Sequence, residues 1–171
     1  MEILKGFEYM ASTDSRVLIL GSMPGVESLK QVQYYAHPRN LFWTIMSDMF
    51  GFNIDLPYIE RLEKLEKYKI ALWDVVHQCR RKGSLDSNIE INSLEANDFC
   101  AFFKEFQQIH TVFFNGRKSE ELYKRFVIRD KSINIPELKY YCLPSTSPAN
   151  ASIPKERKVK EWSIVKHHSL I

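Results

Sequence analysis

Four short apolar runs, each broken off by small or polar residues, restrict this chain to a small set of folds. The clearest is residues 17–20, Val-Leu-Ile-Leu, entered from polar residues and stopped by Gly21, the pattern of a buried strand. Residues 70–76, 111–114 and 140–143 repeat it. The segments between them read as helices. Leu41, Phe42, Ile45, Met46 and Met49 recur at helical spacing up to Gly51, and residues 58–69 carry Leu62 and Leu65 on one face. Asn92 and Glu95 have capping-box spacing ahead of an apolar stripe of Phe99, Phe102, Phe103, Phe106 and Ile109. RKSEELYKRF from Arg117 and the basic KERKVKEWSIVK after Pro154 complete the set. Strands alternating with helices predict an α/β fold: a three-layer α/β/α sandwich with a central four-stranded parallel sheet, in one domain spanning residues 1–171. The strand ends at Gly21, Asp74, Asn115 and Pro144 then gather on one edge, where such a fold holds its ligand.

Residues 21–43 carry the densest chemistry on that edge. The turn Gly21-Ser22-Met23-Pro24-Gly25 can aim backbone N–H groups outward. Behind it, Tyr34, Tyr35, Phe42 and Trp43 surround His37, Arg39 and Asn40, and rings beside fixed donors suit a flat, hydrogen-bonding ligand such as a nucleobase. Asn40 also stands where a helix N-cap belongs. Capping and ligand chemistry are compatible there only if the amide reaches its ligand while the backbone starts the helix, because a cap bond would otherwise occupy its oxygen. His37 before Pro38 can contact a ligand or serve structure. Asn115 offers a donor and an acceptor at a strand end, the combination that reads a base edge, although Asn-Gly is also a common turn pair. Asp74 at its strand end can orient a group in the crevice or bond nearby backbone. Residues 144–150, Pro-Ser-Thr-Ser-Pro-Ala-Asn, form a stiff hydroxyl-rich loop able to lie against a phosphate.

A net charge of +3 permits a polyanionic partner without requiring one, and the basic residues cluster at 80–82 and 155–160. Cys79, Cys100 and Cys142 lie far apart without metal-ligand spacing, so neither a disulfide framework nor a metal site is expected. No apolar run approaches the roughly 20 residues of a spanning helix, and the N-terminus lacks a signal-peptide pattern. A cytoplasmic protein with no membrane partner is expected.

Three motifs in order, GSMPG at 21–25, AHPRNLFW at 36–43 and LPSTSPAN at 143–150, make the chain resemble the uracil-DNA glycosylase superfamily, specifically its hypoxanthine (deoxyinosine) glycosylase branch. The HPxN-x-FW pattern is also similar to the mismatch-specific uracil/thymine glycosylases, and GSLDSNI at 83–89 resembles the hypoxanthine branch. The resemblance covers residues 16–162. It implies a monofunctional DNA glycosylase acting at the nucleoid on DNA that contains a deaminated base, hypoxanthine first and uracil second. By the same resemblance Asn40 holds the attacking water, and Tyr35 stacks on the flipped base, with Asn115, Ser22, Met23 and His37 around it. Ser145, Thr146, Ser147 and Asn150 grip the DNA phosphates. The chain departs from the uracil-specific members at Met23, where they carry an Asp or Asn that activates water. No lysine stands in the motifs to form a Schiff base, so strand cleavage is not expected. Three cysteines cannot supply the four-thiolate iron–sulfur cluster of two other branches. No cofactor is expected, and a monomer is. A non-catalytic nucleic-acid-binding module and a hydrolase of free nucleosides or nucleotides remain the alternative readings.

Overall fold

The computed structural model describes residues 1–171. Its centre is a four-stranded, all-parallel sheet in the order β3-β2-β6-β7, built from β2 (Val17–Gly21), β3 (Ile70–Asp74), β6 (Thr111–Asn115) and β7 (Lys139–Leu143). β2 and β6 occupy the middle, in register through Val17↔Thr111 and Leu20↔Phe114. Alternation of side chains across the pleat sends each strand's residues to two cores. Leu18, Leu20, Ala71, Trp73, Val112 and Phe114 face one side. There they meet the phenylalanine stripe of α4 (Phe99–Glu105) together with Leu122 and Tyr123 of α5 (Arg117–Tyr123). Val17, Ile19, Ile70, Leu72 and Phe113 face the other side. They pack on α2 (Phe42–Phe50), α3 (Tyr58–Lys67), α6 (Lys155–Trp162) and α7 (Ile164–Leu170). Each such side chain, removed from water, contributes roughly 1.5–3 kcal/mol. The layered architecture expected from the sequence is therefore present.

Four local readings need correction. The apolar run at 70–76 is two strands: β3 ends at Asp74, and Val76 opens β4 (Val76–Arg80) of a second sheet, ordered β1-β4-β5 and antiparallel, with β1 (Ile3–Lys5) and β5 (Glu95–Ala96). A bulge between Val76 and Gln78 breaks the pairing with β5. Buried positions in β4 therefore fall at Val76 and Cys79, three apart, which hides the two-residue period of a strand. The Asn92/Glu95 pair caps nothing: Ile91–Ser93 form a single 3₁₀ turn and Glu95 belongs to β5. Asp98 starts α4, its side chain accepting from the Ala101 N–H at 2.9 Å. The C-terminal basic segment is two helices that meet at Ser163. A short helix the sequence pattern did not reveal, α1 (Val26–Gln31), follows the Gly25 turn.

Loss of the true cap should be measurable. Asp98→Ala should destabilise the chain by about 1 kcal/mol in urea denaturation, whereas Asn92→Ala should leave the midpoint within error of wild type.

Candidate active site

The ends of β2, β3 and β6 and the loops that follow them enclose a cavity of about 140 Å³. Gly21, Ser22, Met23, Asp74 and Thr146 in its wall are buried, while His37, Asn40, Ser145 and Ser147 are half-buried at its rim. The expected site residues are thus brought together, with Asn150 just outside the lining.

Tyr35 and Tyr34, adjacent in sequence, part company in space. Tyr34 is tied into the core: its hydroxyl donates to the Glu8 carbonyl (2.7 Å), its N–H to the Tyr58 hydroxyl (3.0 Å), and its carbonyl accepts from Trp43 Nε1 (2.9 Å). Tyr35 takes a left-handed backbone, φ 57°, rare for a residue of its size. That conformation turns its ring onto Phe42, stacked at 4.0 Å, and into the cavity wall. Its hydroxyl is buried with no hydrogen-bond partner. Burial first, and then the Asp74 carboxylate, push the phenol well above its ordinary value.

The first loop is clamped from beneath by Arg81, a residue the sequence placed in a solvated basic cluster. Arg81 is buried, and its guanidinium donates to the carbonyls of Gly83 (2.8 Å), Pro24 (2.5 Å) and Met23 (3.4 Å). The Ser22 hydroxyl donates to Asp86 Oδ2 at 2.7 Å, and the Val26 N–H donates to Ser84 Oγ at 2.8 Å. Residues 83–86 therefore form one wall, and Asp86 and Ser84 join the site although only the GSLDSNI resemblance pointed to that segment. Met23 contributes an apolar side chain from the core to the lining.

Asn40 is not the helix N-cap: that position is Leu41, which has no side-chain cap bond, because α2 begins one residue later than the sequence pattern suggests. The Asn40 Oδ1 accepts from the Phe42 N–H at 3.0 Å, a turn-type bond just ahead of α2, its Nδ2 makes no bond within the chain, and the residue lines the cavity. His37 Nδ1 accepts from the Arg39 N–H (3.1 Å). Asn115 is engaged at both ends by one residue: its Nδ2 donates to Thr146 Oγ1 and its Oδ1 accepts from the Thr146 N–H, each at 2.9 Å. The Thr146 carbonyl accepts from the Leu41 N–H (3.0 Å). Thr146 is 1 % exposed, with its N–H, its carbonyl and its hydroxyl oxygen each engaged within the chain, so burial keeps its hydroxyl from the surface. The loop is held further by Trp162 Nε1 donating to the Pro144 carbonyl (2.9 Å) and by the buried Lys158 donating to the Asn150 carbonyl (2.7 Å). Gly116, at φ 94°, is required here because a Cβ would lie 2.9 Å from that of Ser145.

Asp74 is the carboxyl without compensation. It is 4 % exposed, Oδ2 has no partner, and a Cβ on Gly21 would collide with the carboxylate. Burial, reinforced by Asp86 and only partly opposed by Arg81, raises its pKa to about 7. The bond to backbone expected for a strand-end carboxylate is absent; instead its own carbonyl accepts from Asn97 Nδ2 (2.8 Å). No group of three or more His, Cys, Asp or Glu side chains is placed to hold a metal ion, and no helix is long and apolar enough to cross a membrane.

Residues 7–166 match the family model described as the uracil DNA glycosylase superfamily. The chain belongs to that superfamily. Within it, the chain is 36 % identical over 167 residues to a hypoxanthine DNA glycosylase of Methanosarcina acetivorans, covering 97 % of this chain and 99 % of that one. A second hypoxanthine DNA glycosylase, from Methanosarcina barkeri, is 37 % identical over 118 residues, 68 % of this chain and 73 % of its own. The fold also matches a solution NMR structure of a candidate uracil DNA glycosylase from Methanosarcina acetivorans, with a TM-score of 0.81, 34 % identity, and coverage of 99 % of this chain and 100 % of that one. In this superfamily member the cavity at the sheet edge is thus the place to seek the chemistry.

The buried carboxyl has a thermodynamic signature. Its folded pKa lies above the unfolded value of 3.8, so folding is penalised only once the unfolded carboxyl ionises. The penalty grows as pH rises and is complete above about 7. Asp74→Asn should therefore stabilise the protein at pH 8 by on the order of 2–4 kcal/mol. In urea melts the gain should shrink by pH 5 and disappear near pH 3.5.

Proposed function

We propose that the protein is a monofunctional DNA glycosylase of base excision repair, hydrolysing the N-glycosidic bond of a deaminated base flipped out of DNA, with hypoxanthine its first substrate and uracil its second. The observation that carries this reading is the cavity itself: one aromatic wall at Tyr35, a buried polar floor and a half-buried rim of amide and hydroxyl groups. That shape accepts a planar base edge-on, and two relatives spanning most of this chain's length bear the name hypoxanthine DNA glycosylase.

Flipping costs a few kcal/mol, least for a mispaired base, so mispairing adds selectivity before the cavity is reached. Cleavage develops oxocarbenium character on the sugar and negative charge on the base. Asn40 at the rim holds the attacking water through its free Nδ2 and the second lone pair of Oδ1, while the first lone pair accepts from the Phe42 N–H. Tyr35 stacks on the base, a contact worth about 1–3 kcal/mol. His37, Ser22 and Met23 shape the pocket. Asn115 retains one N–H and one lone pair beyond its Thr146 bonds, enough for a base contact while it fixes the loop. Ser145, Ser147 and Asn150 meet the DNA phosphates, and Thr146 holds that loop in place. A monomer working in the cytoplasm at the nucleoid belongs to the same reading.

Action on DNA rather than on free nucleosides rests on the 144–150 loop. Replacing both Ser145 and Ser147 by alanine should lower excision from a deoxyinosine duplex by at least tenfold, read as alkali-dependent cleavage of an end-labelled strand. Undiminished processing of the duplex would remove the loop from the DNA contact. Asn40→Ala should abolish alkali-dependent cleavage at deoxyinosine; a variant that keeps full activity would remove Asn40 from the chemistry.

A further inference from the structure

Three carboxyl groups stand in the cavity wall, Glu27, Asp74 and Asp86, and the proposed reaction uses none of them; Glu27 pairs with Lys30 at 3.2 Å. Asp86 is accounted for: Ser22 donates to it and the Arg81 guanidinium lies 4.0 Å away. Asp74 is not. It lines the cavity beside Tyr35, and its Oδ2 is buried without a partner, as is the Tyr35 hydroxyl. A carboxyl with no protein partner in a cavity wall marks a place where a ligand atom can complete the bond.

The form of that carboxyl decides what it can do. The groups facing it are Asp86 across the cavity and Arg81 beneath, with the Tyr34 and Tyr35 hydroxyls on one loop and the Tyr58 hydroxyl from α3. Burial and the neighbouring Asp86 outweigh the single guanidinium, so that near neutral pH a large fraction of Asp74 is the neutral acid, a hydrogen-bond donor. A purine entering with its sugar at the rim turns its N7 and O6 edge toward the floor, because N3 lies on the sugar side of the ring. N7 is an acceptor.

We propose that Asp74 is a catalytic general acid specific for purines, its carboxylic acid donating a proton to N7 of the departing base. This deepens the function proposed above and rests on it. As the C1′–N9 bond breaks, its electron pair passes into the imidazole ring of the base, and the Asp74 proton moves to N7, so hypoxanthine leaves neutral and Asp74 is left as a carboxylate. The water oxygen bonds to C1′ and its released proton passes to solvent, from which Asp74 is reprotonated. The net reaction is addition of one water across the glycosidic bond. A pyrimidine has no N7, so the device adds nothing to uracil removal.

The test is the single-turnover rate on a deoxyinosine duplex between pH 5.5 and 9, for wild type and Asp74→Asn. The amide keeps the shape of the carboxyl but has no proton to give. Wild type should be fastest at low pH and fall about tenfold per unit above pH 7. Asp74→Asn should be at least a hundredfold slower at pH 6, the scale of general acid catalysis, with a flat profile. A duplex carrying 7-deaza-2′-deoxyinosine, which lacks the acceptor, should not be processed by wild type; this arm and the wild-type pH profile hold even if the variant misfolds. Equal rates for the two proteins, a wild-type rate that rises or stays level through pH 7, or undiminished excision of the 7-deaza base would each overturn the assignment while leaving the glycosylase reading intact. A folded wild type that excises no base from deoxyinosine at any pH would overturn both.

Discussion

The paired hydrogen bonds between the Asn115 amide and Thr146 fix the relation on which the rest of the site depends. β6 is a central strand, held on both sides by parallel neighbours, so Asn115 at its end is among the most firmly placed residues in the chain. Through Thr146 that fixity passes to the 144–150 loop, and through the Thr146 carbonyl to Leu41 at the start of α2, next to Asn40. One threonine thereby joins the strand end, the loop and the start of α2. A neutral hydrogen bond is worth about 1 kcal/mol net, but a buried orphan costs more. Breaking this pair would therefore loosen the rim of the cavity more than it would unfold the sheet.

Beneath the rim, the electrostatic arrangement is deliberately uneven. Arg81 is buried but spends its donors on loop carbonyls and stands near Asp86, so it stiffens residues 22–25 and supports one carboxylate. Asp74 receives too little of that charge to remain fully ionised at neutral pH. A carboxyl kept partly neutral by burial destabilises the fold and, in the proposed reaction, supplies a proton donor, an exchange of stability for chemistry known at active sites. The left-handed backbone of Tyr35 belongs to the same group of local strains.

The parallel sheet was legible because buried strands appear as short apolar runs, and three of the four strand ends the sequence named, Gly21, Asp74 and Asn115 but not Pro144, line the cavity. What escaped has identifiable physical causes. β4 hid behind a bulge that destroys its period, and α4 took its cap from Asp98 because the chain makes a 3₁₀ turn at Asn92 and pairs as β5 at Glu95, where those two residues had promised a helix start. Arg81 reads as a surface charge in a basic run, and only folding shows that loop carbonyls converge on it. Likewise no spacing tells that Thr146 turns inward between two serines at the rim, or that Asp74 lacks the backbone partner such residues usually find. Tertiary pairing decided each of these.

The central claim is that this cavity releases a free base from DNA. The most direct measurement is mass spectrometry of both products after wild-type protein is incubated with a duplex carrying a single deoxyinosine. The account predicts free hypoxanthine in solution and an otherwise uncut strand lighter by the base, carrying an abasic site. An unchanged strand, or release of the nucleoside in place of the base, would contradict it.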